Sequence, residues 1–462
     1  MNHFKEWERL FLSRRLGRKQ SGTFAQTSEG RSEFQRDFDR VIFSAAFRRL
    51  QNKTQVVPLP ENDFVHTRLT HSLEASCVGR SLGRIAGDRI IKMAPERFAA
   101  IGVTAADFEA VVAAACLAHD IGNPPFGHSG EDAISTYFRS PAAAKFLHRL
   151  NKKEVADLQN FEGNAAGFRL LTRTPPAHSE IDIGLGLTLA TLGAFTKYPK
   201  PSLPDLHDSE NASEKKFGFF QSEQQTFKSV ADELGLIARH DSGAPMWRRH
   251  PLAFLVEAAD DICYSIIDFE DGFKLGRVSF ETFEALFMAI IADDFLTSES
   301  FYQKTHDLRE KAGLLRAKAI NKLVWESADI FMENLDHLLQ GTFDTPLRKL
   351  IPAAQSLDEI SKISFEQIYK ARAIVEIEVA GYEVLAGLLD IWLNAVFDGQ
   401  SNHSLLVKQL MPDSHFAGAD NLRDDYSRIM TVTEFVAGMT DNFAINAYRK
   451  LKGISLPSDA FL

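Results

Sequence analysis

The chain is expected to be all-α. Three observations carry this expectation. Apolar residues recur at helical spacing almost throughout, alternating strand patterns are scarce, and caps and breakers bound the periodic stretches. The first long helix is predicted over Thr67–Ile91. Thr104 is the N-cap of a second, over Ala105–His119. Its run Val111-Val-Ala-Ala-Ala-Cys-Leu-Ala118 is apolar on every side, so this helix must be buried. Gly122-Asn-Pro-Pro125 breaks it. Helix resumes at Gly130–Phe138 and at Asn164–Thr172. Residues 199–216 are polar and proline-rich and are expected to form an exposed loop. A helix over Leu252–Phe269 follows, then long amphipathic helices at 280–292, 301–338, 364–397 and 421–452. The expected organisation is one all-α domain over 1–462. Its core spans about 60–275, with a C-terminal helical extension over about 280–462.

A chain of 462 residues with 45% hydrophobic and 25% charged side chains is ordinary for a globular protein with a sizeable core. No stretch approaches the ~20 consecutive apolar residues of a membrane span. The N-terminus is charged from Lys5 and has no apolar leader segment, so a cytoplasmic location is expected. Cys77, Cys116 and Cys263 fit no zinc or disulfide spacing and read as small core residues. The net charge of −10 excludes a globally nucleic-acid-seeking protein. Residues 1–53, however, carry twelve Lys/Arg against six Asp/Glu, so +6 sits there and −16 in the remainder. Such an arm could face a nucleotide, a single-stranded nucleic acid or an acidic neighbouring subunit. A solvated tail over 9–32 accounts for it equally well.

Four residues stand out chemically. His71 closes the phrase His66-Thr-Arg-Leu-Thr-His71, His119-Asp120 ends the buried alanine-rich helix, and Asp260 lies in the apolar run after Val256. A carboxylate at the end of a buried helix is costly, and it sits on the wrong side of the helix dipole. A surface His-Asp pair would avoid the cost; a bound metal would satisfy both residues at once. Two imidazoles and two carboxylates suit a divalent transition metal, or magnesium at the oxygen-rich end. Four protein ligands leave room for water and a phosphate oxygen, as metal-assisted phosphoester hydrolysis requires. Asp260, Tyr264 and Asp268 share one helix face at i, i+4, i+8, opposite Leu255, Ala259, Ile262, Ile266 and Phe269. Amphipathicity alone would send that face to solvent, whereas beside a ligand it would make a sugar-binding wall. His128 and Glu131, at i, i+3, can meet as an acid or base oriented by a carboxylate.

The order H…HD…D resembles the signature of HD-domain phosphohydrolases. Further blocks are Phe34-Gln-Arg-Asp-Phe-Asp-Arg40, Ala46–Val56, His119–Glu131, Asn160–Asn164, Thr196–Pro199, Lys216–Phe220, Glu257–Tyr264 and Ala437–Asp441. Together they resemble the bacterial deoxyguanosine triphosphate triphosphohydrolases and their dNTP-cleaving relatives. The resemblance implies an HD-domain helical fold that splits a dNTP between its 5′ oxygen and α-phosphorus, giving nucleoside and tripolyphosphate. It implies His71, His119, Asp120 and Asp260 as ligands of Mg²⁺, Mn²⁺ or another transition metal, with His128 and Glu131 as the catalytic pair. Gln55 and Val56 would line the sugar pocket, Asp268 would hold the 3′-hydroxyl, and Tyr264 would pack under the deoxyribose. Arg68, Lys197 and Tyr198 would lie near the phosphates. A homo-oligomer of even order is implied, with an activating nucleotide at a subunit contact. Some members carry a second His four residues after the His-Asp pair; Asn123 stands there in this chain. Residues 199–216 and the C-terminal helices are where the family diverges, so the preferred base does not carry over. Arg372, Glu376, Glu378, Arg423 and Arg428 read as surface charge. Two other functions compete: an HD phosphohydrolase for a different nucleotide, and a nucleotide sensor or single-strand-binding protein with weak catalysis.

Overall fold

A computed structural model describes residues 4–16, 30–55, 66–173, 184–203, 210–239, 245–291, 299–398, 401–412 and 424–454. Among these residues the fold is helical, relieved by one antiparallel pair, Ala238–Arg239 with Met246–Trp247, in register Ala238↔Trp247. The helices that carry the chemistry stand close to their predicted places: Arg68–Met93, Ala105–Ala118, Gly127–Arg139, Gly163–Thr172 and Pro251–Lys274. Their starts are set locally. Thr67 and Thr104 each form a capping box, and Pro251 opens its helix at the position where a missing N–H costs nothing. No single helix among the described residues is long and apolar enough to cross a membrane.

The C-terminal helices are more broken than periodicity suggested. The expected helix over 301–338 is three, Glu299–Lys304, Leu308–Glu333 and Leu335–Leu339, with Asp307 capping the second through the N–H groups of Arg309 and Glu310. The stretch 364–397 opens with a π-helical turn, Ser364–Tyr369, before Arg372–Asp398. The stretch 421–452 divides at Gly438 into Asp425–Ala437 and Asp441–Leu451, with Thr440 capping the latter. Apolar spacing continued across each break and hid it.

A stripe of glycines brings the first two long helices together. Gly79, Gly83 and Gly87 lie at i, i+4, i+8 on the Arg68–Met93 helix, against the alanine-rich helix. A Cβ on Gly83 would meet the Phe108 carbonyl oxygen at 2.7 Å, and one on Gly79 would meet Cys116 Sγ at 2.4 Å. The backbones therefore approach as closely as missing side chains allow. His71 and His119 ride on these two helices.

Apolar residues gather in two clusters, and each draws on both sides of residue 280. One joins Val111, Leu255 and Phe269 to Phe283, Leu323 and Ile368; the other joins Ile134, Phe138 and Phe220 to Leu385, Trp392 and Val436. The basic arm is folded in its described part. Trp7 and Phe11 are buried, and Arg15 is enclosed with Glu33 and Asp37. Arg14 pairs with Glu233 and Arg31 with Asp39, so much of the arm's charge meets carboxylates within the chain. Residues 17–29 lie outside the described residues.

Two expectations are corrected. In 199–216, residues 204–209 lie outside the described residues. Of the rest, Glu210 and Lys215 are exposed as expected, but Ser202 donates to buried Asp157 at 2.6 Å, and Ser213 and Glu214 are buried. These polar side chains face carboxylates and an arginine of the interior rather than water. Cys77 is exposed, unlike Cys116 and Cys263. It lies on the face of its helix turned from the alanine-rich partner, on the wall of a cavity of about 740 Å³ that Arg84, Arg316 and Trp325 also line.

Candidate metal centre and active site

The His119 imidazole caps its own helix. Its Nδ1 donates to the Cys116 carbonyl at 2.6 Å, which fixes the tautomer and leaves Nε2 as the free acceptor. That Nε2 is buried and has no hydrogen-bond partner. It faces Asp260 Oδ1 at 3.3 Å and Asp120 Oδ1 at 3.5 Å. His71 Nε2 lies 3.2 Å from the same Asp260 Oδ1. One donor atom each from His71, His119 and Asp260 falls within a 4.8 Å span. An orphaned imidazole nitrogen, a second imidazole and carboxylate oxygens in one buried place fit a divalent cation. Asp120 is at the edge of this set: Arg68 Nη1 donates to its Oδ2 at 2.6 Å and Asn123 Nδ2 to its Oδ1 at 2.5 Å. These bonds offset the unfavourable helix end, and the Arg68 guanidinium holds the Asp120 acid well below its usual range despite burial.

Asp260 is also paired on its other oxygen, which accepts from Lys197 Nζ at 2.5 Å. Burial works against its ionisation, but the Lys197 ammonium outweighs it and keeps the carboxylate charged. Lys197 is placed by Arg249, whose Nε donates to the Lys197 carbonyl at 2.6 Å while its fork clamps Glu257. The Arg249 guanidinium lies 5.6 Å from the Tyr198 ring centre, and Tyr198 is half-buried beside it. Lys197 and Arg68 thus put two cations beside the donor set, on Asp260 and Asp120.

His128 and Glu131 meet as the spacing predicts, Nδ1 to Oε2 at 2.8 Å. The other Glu131 oxygen accepts from the Gly163 N–H at 2.7 Å. A Cβ on Gly163 would lie 2.2 Å from Asn123 Oδ1 and 2.6 Å from Glu131 Oε1, so only glycine fits between them. Hydrogen bonding to Glu131 and its charge raise the His128 pKa, so the cation is favoured. The His128 side chain is 76% exposed and can reach a ligand.

The wall face is assembled from further away. Tyr264 is 38% exposed, and its ring stacks on Tyr369 with centres 5.9 Å apart. The Tyr369 hydroxyl donates to Asp268 Oδ2 at 3.2 Å. Asp268 Oδ1 and Gln55 Oε1 are buried without hydrogen-bond partners. Burial, and the nearby Asp271, push the Asp268 carboxyl well above the usual range. Asp271 is engaged by His66, whose ring lies 2.7 Å away and whose other nitrogen is 3.2 Å from Glu74. Val56 lies outside the described residues.

Comparison with known proteins decides the kinship. The HD domain model matches residues 68–163 and the phosphohydrolase-associated domain model matches 352–450. A Synechocystis protein named deoxyguanosinetriphosphate triphosphohydrolase-like protein is 45% identical, over 98% of this chain and 100% of its own. A protein of the same name from Pseudomonas aeruginosa is 37% identical over 98% of this chain and 100% of its own. The Serratia proteamaculans deoxyguanosinetriphosphate triphosphohydrolase is 31% identical over 91% of this chain and 93% of its own. The chain belongs to the deoxyguanosinetriphosphate triphosphohydrolase-like family.

Within this HD-family chain the HD segment holds His71, His119, Asp120, His128 and Glu131, while Asp260 and Lys197 lie between the matched segments. Tyr369 comes from the phosphohydrolase-associated segment, and local spacing gave no signal for it. Lys216 stands in the block Lys216–Phe220, and nothing local to that block marks it as a neighbour of Glu131. Its Nζ lies 3.2 Å from Glu162 and 3.8 Å from Glu131, and Gly218 packs against the Tyr198 carbonyl, where a Cβ would come within 2.3 Å.

Proposed function

We propose that this protein is a metal-dependent hydrolase that converts deoxynucleoside triphosphates to deoxynucleoside and tripolyphosphate. One observation carries the reading: His71, His119 and Asp260 converge within 4.8 Å beside two buried cations, Lys197 and Arg68. His71, His119, Asp260 and Asp120 would hold Mg²⁺, Mn²⁺ or another transition metal. The bound ion would polarise the α-phosphate and offset its charge. The protein's own groups account for the rest. Lys197 and Arg68 draw the polyphosphate in and stabilise developing negative charge, with Tyr198 beside them. Water adds to the α-phosphorus as the bond to the 5′ oxygen breaks. His128, kept cationic by Glu131, gives its proton to that departing oxygen, and the proton the water gives up then restores the His128 imidazolium. Gln55 and Asp268 bind the 3′-hydroxyl, Val56 borders the pocket, and Tyr264 closes the C2′ side.

The test is product analysis. Purified protein with each dNTP and rNTP, in Mg²⁺ or Mn²⁺, should release inorganic tripolyphosphate, separated by anion exchange. A 2′-hydroxyl against Tyr264 loses its partners at a cost of ~1–3 kcal/mol and also clashes. Selectivity for dNTP over rNTP should therefore reach at least ~10² in kcat/KM, at about 1.4 kcal/mol per tenfold. Tyr264→Ala should narrow that ratio while weakening dNTP turnover. Equal rates for GTP and dGTP, or pyrophosphate as the product, would refute the reading.

The proposal extends to one catalytic unit spanning both matched segments, acting in the cytoplasm as a homo-oligomer of even order with an activating nucleotide at a subunit contact. Val375, Val379 and Tyr382, exposed along one face of Arg372–Asp398, support a contact there. A single-stranded nucleic acid partner finds less support, because Arg14, Arg15 and Arg31 of the arm already pair within the chain.

A further inference from the structure

The block Ala437–Asp441 has no role in the reaction as derived above, yet it touches the loop between His119-Asp120 and His128-Glu131 directly at Phe126 and reaches Asn123 through Lys53. We propose that Asp441 is a positioning residue: its one carboxylate clamps the Gln55 segment to the turn that aims His128. The inference rests on the proposed reaction.

Asp441 opens the last described helix and is 2% exposed. Thr440 already caps that helix, accepting from the Phe443 N–H at 3.3 Å, so the Asp441 carboxylate is free to act elsewhere. Its Oδ1 accepts from the Phe126 N–H at 3.1 Å. Its Oδ2 accepts from the Thr54 N–H at 2.9 Å and from the Thr54 hydroxyl. Thr54 adjoins Gln55. Phe126 adjoins Gly127, the first residue of the helix that carries His128 and Glu131. Phe126 has φ 64°, and among the described residues it is the sole non-glycine in the left-handed region. A bulky side chain enters that region when its surroundings compel it. Asp441 supplies one constraint through the N–H. The Arg372–Asp398 helix supplies another: a Cβ on Gly381 would lie 3.0 Å from the Phe126 ring.

Lys53 completes the arrangement. Its buried Nζ donates to the carbonyls of Asn123 at 2.5 Å and Ala437 at 2.9 Å. The loop is thus held at Asn123 through Lys53 and at Phe126 through Asp441, both anchored on the same C-terminal break. Arg68, whose guanidinium a Cβ on Gly127 would contact at 2.8 Å, fills the space beneath the turn. Without the clamp, Phe126 can relax toward ordinary backbone geometry and rotate His128 away from the departing oxygen. The donors His71, His119 and Asp260, carried by other helices, stay put.

The competing role is plain stability, an acid at a helix start. Asp441→Asn distinguishes the two, since an amide oxygen cannot serve Phe126 and Thr54 together and keeps the size. On the full-length protein, kcat for dNTP should fall about 10- to 100-fold, the usual cost of a small misplacement. Mn²⁺ affinity by equilibrium dialysis should stay unchanged. In the His128→Ala background the same substitution should add no further loss, because the group it aims is gone. Hydrogen exchange should rise in the peptides containing Thr54 and Phe126; this readout needs no turnover and separates a failure here from failure of the proposed reaction. Thr54→Val, which removes only the hydroxyl bond, should act in the same direction if Asp441→Asn does not fold. Full multiplicative loss in the double variant, or unaltered exchange at both peptides, would overturn the proposal.

Discussion

Asp260→Ala will abolish divalent-metal binding and dNTP hydrolysis together. Its Oδ1 is the oxygen nearest both His71 and His119, at 3.2 and 3.3 Å, and its Oδ2 carries the Lys197 ammonium at 2.5 Å. Removing it takes away one donor and leaves a buried cation without its partner, which repels any incoming metal. The cation's contribution to a phosphoryl transition state is several kcal/mol, so activity should drop by more than ~10³ at about 1.4 kcal/mol per tenfold. Asp120→Ala should behave alike, since it also strands the Arg68 guanidinium. Metal content by plasma emission spectroscopy on the dialysed variant checks the first half of the expectation, and tripolyphosphate release checks the second. Full occupancy with wild-type turnover would remove Asp260 from the ligand set.

His128→Ala should lower kcat by ~10² to 10⁴ and leave the metal in place, the range expected of a lost general acid. The imidazole meets Glu131 at 2.8 Å but is 76% exposed, so it can serve as a donor without belonging to the metal set. Its pH behaviour gives an independent check. Glu131 raises the His128 pKa; the acid form is therefore present below that raised value and is lost as pH climbs through it. Wild-type activity should show a corresponding alkaline limb. Glu131→Gln removes the counter-charge, lowers the His128 pKa and should move the limb to lower pH. A limb that does not shift, or an unchanged kcat in His128→Ala, would reassign proton donation to another group.

The parts of this site that were legible in the sequence share a physical cause. His119-Asp120 is conspicuous because polar atoms at the end of an all-apolar helix must be satisfied. His128 and Glu131 are conspicuous because i, i+3 spacing makes them meet. Thr104, read as an N-cap, announced the start of the helix that leads to His119. Tyr369, Lys216 and Asp441 were not legible as site residues, because their partners Asp268, Glu131 and Phe126 are distant in the chain and no local period records such contacts. The breaks at Asp307 and Thr440 left cap signals that the continuing apolar spacing overrode. Cys77 looked like core because an apolar helical pattern does not say which of its faces meets a partner helix and which meets a cavity.

The carboxylate of Asp441 meets Thr54 across 387 residues of sequence, and both apolar clusters wait for residues beyond 280. At about 5–20 residues per second of synthesis, Asp260 leaves the ribosome roughly 10–40 s before Asp441 does. During that interval the growing polypeptide owns every proposed metal donor but neither the clamp nor a closed second cluster. Efficient turnover is therefore expected only of chains that carry the helices after residue 280: fragments lacking them should hydrolyse dNTP far more slowly. Ribosome-bound chains arrested near residue 400 should release tripolyphosphate far more slowly than the same chains carried to residue 462 and released.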